Sequence, residues 1–156
     1  MKTRRTPVRL SQVVCIVVGM DVAGGFPEDA AEGPESFGGR VDAVRRLVAG
    51  LASIDVDDLS ADELVGVLVP LERLRWSVES VSSTVLHTAD RRQATLELYG
   101  NFTPAHVTGF CPQTRASVKR RITNGRTLAL FPSFAAAHAN GRISSDHIAA
   151  LGRVVN

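Results

Sequence analysis

SADELVGVLVPLERLRWSVESVSSTVLHTA, residues 60–89, decides the fold class. Ser60 is followed three residues later by Glu63, the spacing of a capping box, in which each side chain satisfies a backbone N–H left open at a helix start. Leu59 and Leu64 flank the box in hydrophobic-staple positions, and Asp62 and Glu63 suit the positive end of a helix dipole. A helix therefore starts at Ala61. Leu64, Leu68, Leu71, Leu74, Val78, Val81, Val85 and Ala89 then recur at three- and four-residue steps, the seam of a long amphipathic helix. Proline inside a helix removes one N–H and costs ~3 kcal/mol. Pro70 therefore predicts a short helix to about Val69 and a long one from Pro70 to about Leu98. The seam suits an antiparallel pairing with helix 41–53, or a homo-oligomer formed through the 61–98 helix of a second chain.

The flanks read as helices too. Upstream, Val41, Val44, Leu47, Val48 and Leu51 recur with helical spacing, weakened at Gly50 and ended by the polar turn Asp55–Asp58. Downstream, Gly100-Asn101 suits a left-handed cap, and Thr103-Pro104 a helix start with threonine capping and proline first. Gly109 and Pro112 keep that helix short. Gln113–Leu130 is the next helical candidate, with a break expected at Asn124-Gly125. Pro132-Ser133 opens another, stopped by Gly141. Ser144 caps the last, with Asp146 in its first turn and Ile143 and Ile148 in staple positions. No stretch after Arg40 alternates with period two for long enough to be a strand. The expected fold class is all-α: a helical bundle with a long central helix and a helix-turn-helix-like C-terminal segment.

The chain of 156 residues fits one domain with a tail, here a helical domain over 40–156 preceded by a disordered leader or linker over 1–39. Lys2, Arg4, Arg5 and Arg9 precede the apolar run Val13–Met20, which resembles a weak secretory signal. That run holds eight residues, against the ~20 needed to span a bilayer. Gly24–Gly39 holds five Gly, two Pro and four acidic residues, a composition that buries too little apolar surface to fold alone. Cys15 and Cys111 are far apart with no C-x-x-C, as in a cytoplasmic protein with reduced thiols. Sixteen Arg against two Lys points to a GC-rich genome.

Charge is polarised. Residues 101–156 hold seven Arg or Lys and one acid, while residues 1–100 hold eleven basic and fifteen acidic side chains. Such asymmetry points to an anionic partner. On Gln113–Leu130 as a helix, Val118, Ile122 and Ala129 share a narrow face, Arg115, Lys119 and Arg126 lie along its edge, and Arg120 and Arg121 project elsewhere. A short helix, a turn and a basic helix make the outline of a helix-turn-helix, and these five cations would contact DNA phosphates.

Several stretches together resemble the actinobacterial domain of unknown function 222, or 13E12 repeat, family. They are L-E-R-L-R at Leu71–Arg75, P-Q-T-R-A-S-V-K-R-R-I at Pro112–Ile122 and L-A-L-F-P at Leu128–Pro132. A-A-A-H-A-N-G-R-I-S at Ala135–Ser144 and D-H at Asp146–His147 complete the set. The resemblance covers about Val41 to Val155. It implies an N-terminal helical domain, often followed by an HNH-type endonuclease domain. The order of elements over 112–155 is also similar to the helical DNA-binding segment of ParB-type partition proteins. The stretch Pro104–Gly109 is a few residues shorter than the family's usual first helix.

Catalytic patterns are missing. An HNH nuclease needs a His base, metal-binding His or Asn, and commonly Cys pairs on zinc. His87, His106, His138 and His147 have no Cys pair and no second His at ligand spacing, so neither a metal nor a cofactor is expected. No G-x-S-x-G, phosphate-binding loop or dinucleotide fingerprint occurs. The expectation is a non-catalytic DNA-binding helical module, truncated inside its last helix, that positions a separate nuclease domain. A protein-interaction or oligomerisation module with no DNA role is the alternative.

Overall fold

A computed structural model describes residues 36–155, and the leader and weak-signal readings at the N-terminus lie outside them. The described residues form seven α-helices and a 3-10 turn, with no strand among them: an all-α fold. They fall into two compact units that divide at Ser60/Ala61.

The first unit holds α1 (Phe37–Ala52) and the turn Val56–Asp58. Ser36 caps α1 by accepting from the Gly39 N–H at 3.0 Å. Asp55 accepts from the Asp57 N–H at 3.1 Å, which forms the turn expected at 55–58.

The second unit is built on α2 (Ala61–Arg91), followed by α3 (Ala94–Tyr99), α4 (Thr103–Phe110), α5 (Arg115–Leu130), α6 (Pro132–Ala139) and α7 (Ser145–Val155). α2 starts where the capping box places it, and Pro70 does not split it. The missing N–H leaves the Gly66 carbonyl without its helical donor. Every residue from Ala61 to Arg75 is exposed, so water can satisfy that carbonyl. α2 ends at Arg91 rather than near Leu98 because Gln93 is left-handed, with φ 53°, and turns the chain into α3. Gly100, at φ 67°, closes α3 as the left-handed cap expected there.

Thr103 is not the cap of α4. Phe102 holds that position, and the buried Thr103 hydroxyl meets the Thr95 hydroxyl at 3.1 Å, tying α4 to α3. α5 is capped by Thr114, which accepts from the Ser117 N–H at 3.1 Å. It runs unbroken through Asn124-Gly125. Both residues are buried where α5 crosses α2, the most extensive packing between any two helices of the unit.

Small and polar groups dominate the interior. Val118, Leu128 and Ile148 are the fully buried apolar side chains among the described residues, beside Ser80, Ser83, Thr103, Asn124, Thr127 and His138. A Cβ at Gly125 would stand 2.1 Å from the Ser83 carbonyl oxygen and 2.6 Å from the His87 Cβ. Gly141, at φ 63°, rests on α2, where a Cβ would meet the Arg73 carbonyl oxygen at 2.6 Å. Gly152 lets α7 close on Thr127 of α5.

Gly125→Ala is expected to destabilise the chain by about 3 kcal/mol or more, because backbone and not a flexible side-chain tip occupies the space. Chemical denaturation measures it, and a loss under about 1 kcal/mol would contradict the crossing described.

Candidate nucleic-acid interface

The basic residues of α5 separate into three groups once its buried side is fixed. At about 100° per residue, Arg115, Lys119 and Arg126 lie within about 40° of one another. All three are exposed, and none forms an ion pair with a described residue. Arg115 and Lys119 line a groove of about 490 Å³ between α4 and α5, with Phe102, Pro104, Ile122, Thr123 and the carboxylate of Asp90.

Arg120 projects to the other side, into a polar cleft of about 350 Å³ enclosed by α2, α5 and α7. Arg75, Glu79, Ser117, Ser144, Ser145 and Asp146 also line it. Glu72 at 2.9 Å and Glu79 at 2.5 Å hold the Arg75 guanidinium on α2 and raise its affinity for the proton, the Glu72 bond most. Arg120 is thus the cleft's exposed cation without a carboxylate partner.

Arg121 also lines this cleft, but its guanidinium is held within the chain. It is half-buried, donates to the Ser82 hydroxyl of α2 at 3.1 Å and to the side-chain carbonyl of Gln113, and its Nε is buried without a partner. Of the five cations expected to contact phosphate, Arg121 is the one whose guanidinium is bonded within the chain, where it anchors α5 to α2. Position 121 falls about 120° from Arg115 around the helix, toward the crossing.

The four histidines have structural settings. His87 lies against the Gly125 contact. His106 stacks on Tyr99 with centroids 4.7 Å apart and lies 5.1 Å from Phe110. His147 completes the cap of α7: its Nδ1 accepts from the Ser144 N–H at 3.3 Å and meets the Ser144 hydroxyl at 2.8 Å. His138 is fully buried, with Nε2 3.3 Å from the Ser145 hydroxyl, which donates to Glu79.

That last chain contains Ser, His and an acid in the wrong order for a nucleophile. The carboxylate takes the serine proton directly, so the imidazole must donate through Nε2, and it cannot act as base toward that hydroxyl. Nδ1 is then a buried acceptor without a partner, where a triad would have its orienting acid. Sequence reading missed this network because Glu79 lies 66 residues from Ser145. No group of three or more His, Cys, Asp or Glu among the described residues is placed to hold a metal ion. Cys111 is exposed and free. No helix among the described residues is long and apolar enough to cross a membrane.

Burial lowers the His138 pKa below its ordinary 6.5, and the nearby Glu79 charge only partly opposes this. Below about pH 6.5 the unfolded chain binds a proton that the folded chain excludes. The stability difference is therefore fully present above that value and falls as pH drops through it. Denaturation midpoints between pH 7.5 and 5.5 should decline for the wild type and flatten for His138→Gln; parallel profiles would contradict the assignment.

No family model matches the chain, and neither does any curated protein or solved structure.

Proposed function

We propose that the second unit is a non-catalytic nucleic-acid-binding module that engages the phosphate backbone of DNA through the outer face of α5. One observation carries the reading: Arg115, Lys119 and Arg126 converge on one exposed helical face with no carboxylate partner. Arg120 is also exposed but projects about 100° or more round the helix from that face, into the other cleft. Phosphate contacts of this kind fix a protein on a duplex without reading its sequence. The resemblance to the 222 family adds that the module positions a separate nuclease domain.

Neutralising three phosphates gives log K a slope of about −2.7 against log salt on duplex DNA. Arg115→Ala and Lys119→Ala should each reduce that slope by about 1, whereas Arg121→Ala should leave the slope unchanged and lower the thermal midpoint. Binding titrations at several ionic strengths measure all three. Undetectable or salt-independent binding at low ionic strength overturns the proposal.

A second reading is favoured by a different observation. The seam of α2 is an association surface, because Leu64, Leu71, Leu74, Val78, Val81 and Val85 are all exposed, on a helix exposed all round from Ala61 to Arg75 and buried on its opposite side only beyond Arg75. A row of this length marks an interaction site on a soluble protein. Sedimentation should find the wild-type chain associated and the Leu74→Lys variant monomeric with unchanged helicity. A wild type that stays monomeric at high concentration sinks this reading.

A further inference from the structure

We infer that α2 pairs with α2 of a second copy of this chain, and that the two run antiparallel. The inference rests on the association reading above and specifies its partner and its direction. Leu64, Val67, Leu71, Leu74, Val78, Val81, Val85 and Thr88 occur at alternating three- and four-residue steps. The seven apolar members are each between 39% and 49% exposed. A sustained average step of 3.5 keeps a seam facing one partner helix along a left-handed supercoil. In the C-terminal half of α2 the buried Ser80 and Ser83, with Trp76 and His87, fall about half a turn round the helix from it, so the seam and the packed side do not compete there, and Ala61–Arg75 is exposed all round.

Length selects the occupant. The seam extends ~36 Å, at 1.5 Å per residue. The corresponding row on α1, Phe37, Val41, Val44, Val48 and Leu51, extends only ~21 Å by the same rise. A second α2 matches the full length in periodicity and in extent.

Two independent features select the direction. Bulk is distributed unevenly: the N-terminal half of the seam is Leu, Val, Leu, Leu and the C-terminal half Val, Val, Val, Thr. A parallel pair would stack leucine on leucine at one end and valine or threonine on itself at the other. An antiparallel pair sets Leu64 against Thr88, Val67 against Val85, Leu71 against Val81 and Leu74 against Val78. Three of these four layers then combine a larger with a smaller side chain, as interdigitated packing requires.

Charge gives the same direction. Glu63 and Arg91 flank the two ends of the seam at equivalent heptad positions. In the antiparallel pair, Glu63 of each copy lies beside Arg91 of the other, twice over by symmetry. In the parallel pair, Glu63 lies beside Leu68 and Arg75 beside Pro70, with no opposite charges matched. The two Arg75 side chains approach near the antiparallel two-fold axis, but each is already neutralised by its own Glu72 and Glu79.

Sedimentation of the full chain tests the direction. Arg91→Glu should weaken dimerisation roughly tenfold, by replacing two attractions with two repulsions, and Arg91→Lys should leave it within about threefold. Cross-linking gives a second measure in a Cys15→Ser, Cys111→Ser background. A mixture of Leu64→Cys and Thr88→Cys chains should form a disulfide-linked dimer on oxidation, and Leu64→Cys alone should not. A dimer indifferent to Arg91→Glu, or one cross-linked by Leu64→Cys alone, overturns the antiparallel geometry and leaves the association reading standing. A monomeric wild type overturns both and assigns the seam to another segment of the chain or to a different protein.

Discussion

The second unit depends on how closely two backbones approach where α5 crosses α2. Position 125 has no room for even a methyl group, because the Ser83 carbonyl already occupies it. Glycine there and the serines at 80 and 83 let the helices meet nearly backbone to backbone. Interiors packed to crystal-like density transmit such a constraint, since a crossing fixed at one point leaves neighbouring side chains little freedom to rearrange. Gly141 against Arg73 and Gly152 against Thr127 repeat the device, and they place α6 and α7 on the same framework.

From that crossing follows the partition of the basic residues. Once Gly125 faces α2, Arg121 must point back toward Ser82 and Gln113, while Arg115, Lys119 and Arg126 must point away. One helix thus carries an anchoring cation and a set of exposed ones, although a count of charge treats them alike. The anchored guanidinium is already committed to neutral acceptors within the chain, and withdrawing it would leave those acceptors and the α2–α5 joint unsupported.

Local rules made most helices legible. Ser60 with Glu63, Gly100, Pro132 and Gly141 each announce a boundary by chemistry that acts within a few residues. The missed boundaries had their causes elsewhere. Asn124-Gly125 looks like a turn because glycine permits one, yet glycine stands there for close approach, and the helix it approaches lies about forty residues earlier. Pro70 costs the helix one hydrogen bond wherever it stands, but α2 is exposed there and solvent relieves the loss. Thr103 turned inward because Thr95 offered its hydroxyl a partner. Among the basic residues, spacing sufficed to group Arg115, Lys119 and Arg126. It could not separate Arg121 from Arg120, because that distinction depends on which side of α5 meets α2.

The two sides of α2 also differ in what they contribute. The inner side buries serines, whose small volume sets geometry but removes little apolar area from water. The outer side carries the leucines and valines, at about 25 cal/mol for each Å² of apolar surface they can bury. A helix with its leucines and most of its valines outward, and serines beside Trp76 and His87 inward, is reversed for an isolated domain. The reversal is consistent if close approach inside and association outside are separate requirements on one element. Large residues at Ser80 or Ser83 would push α5 away and turn its basic face, so apolar bulk on α2 can be placed only where it leaves that crossing intact.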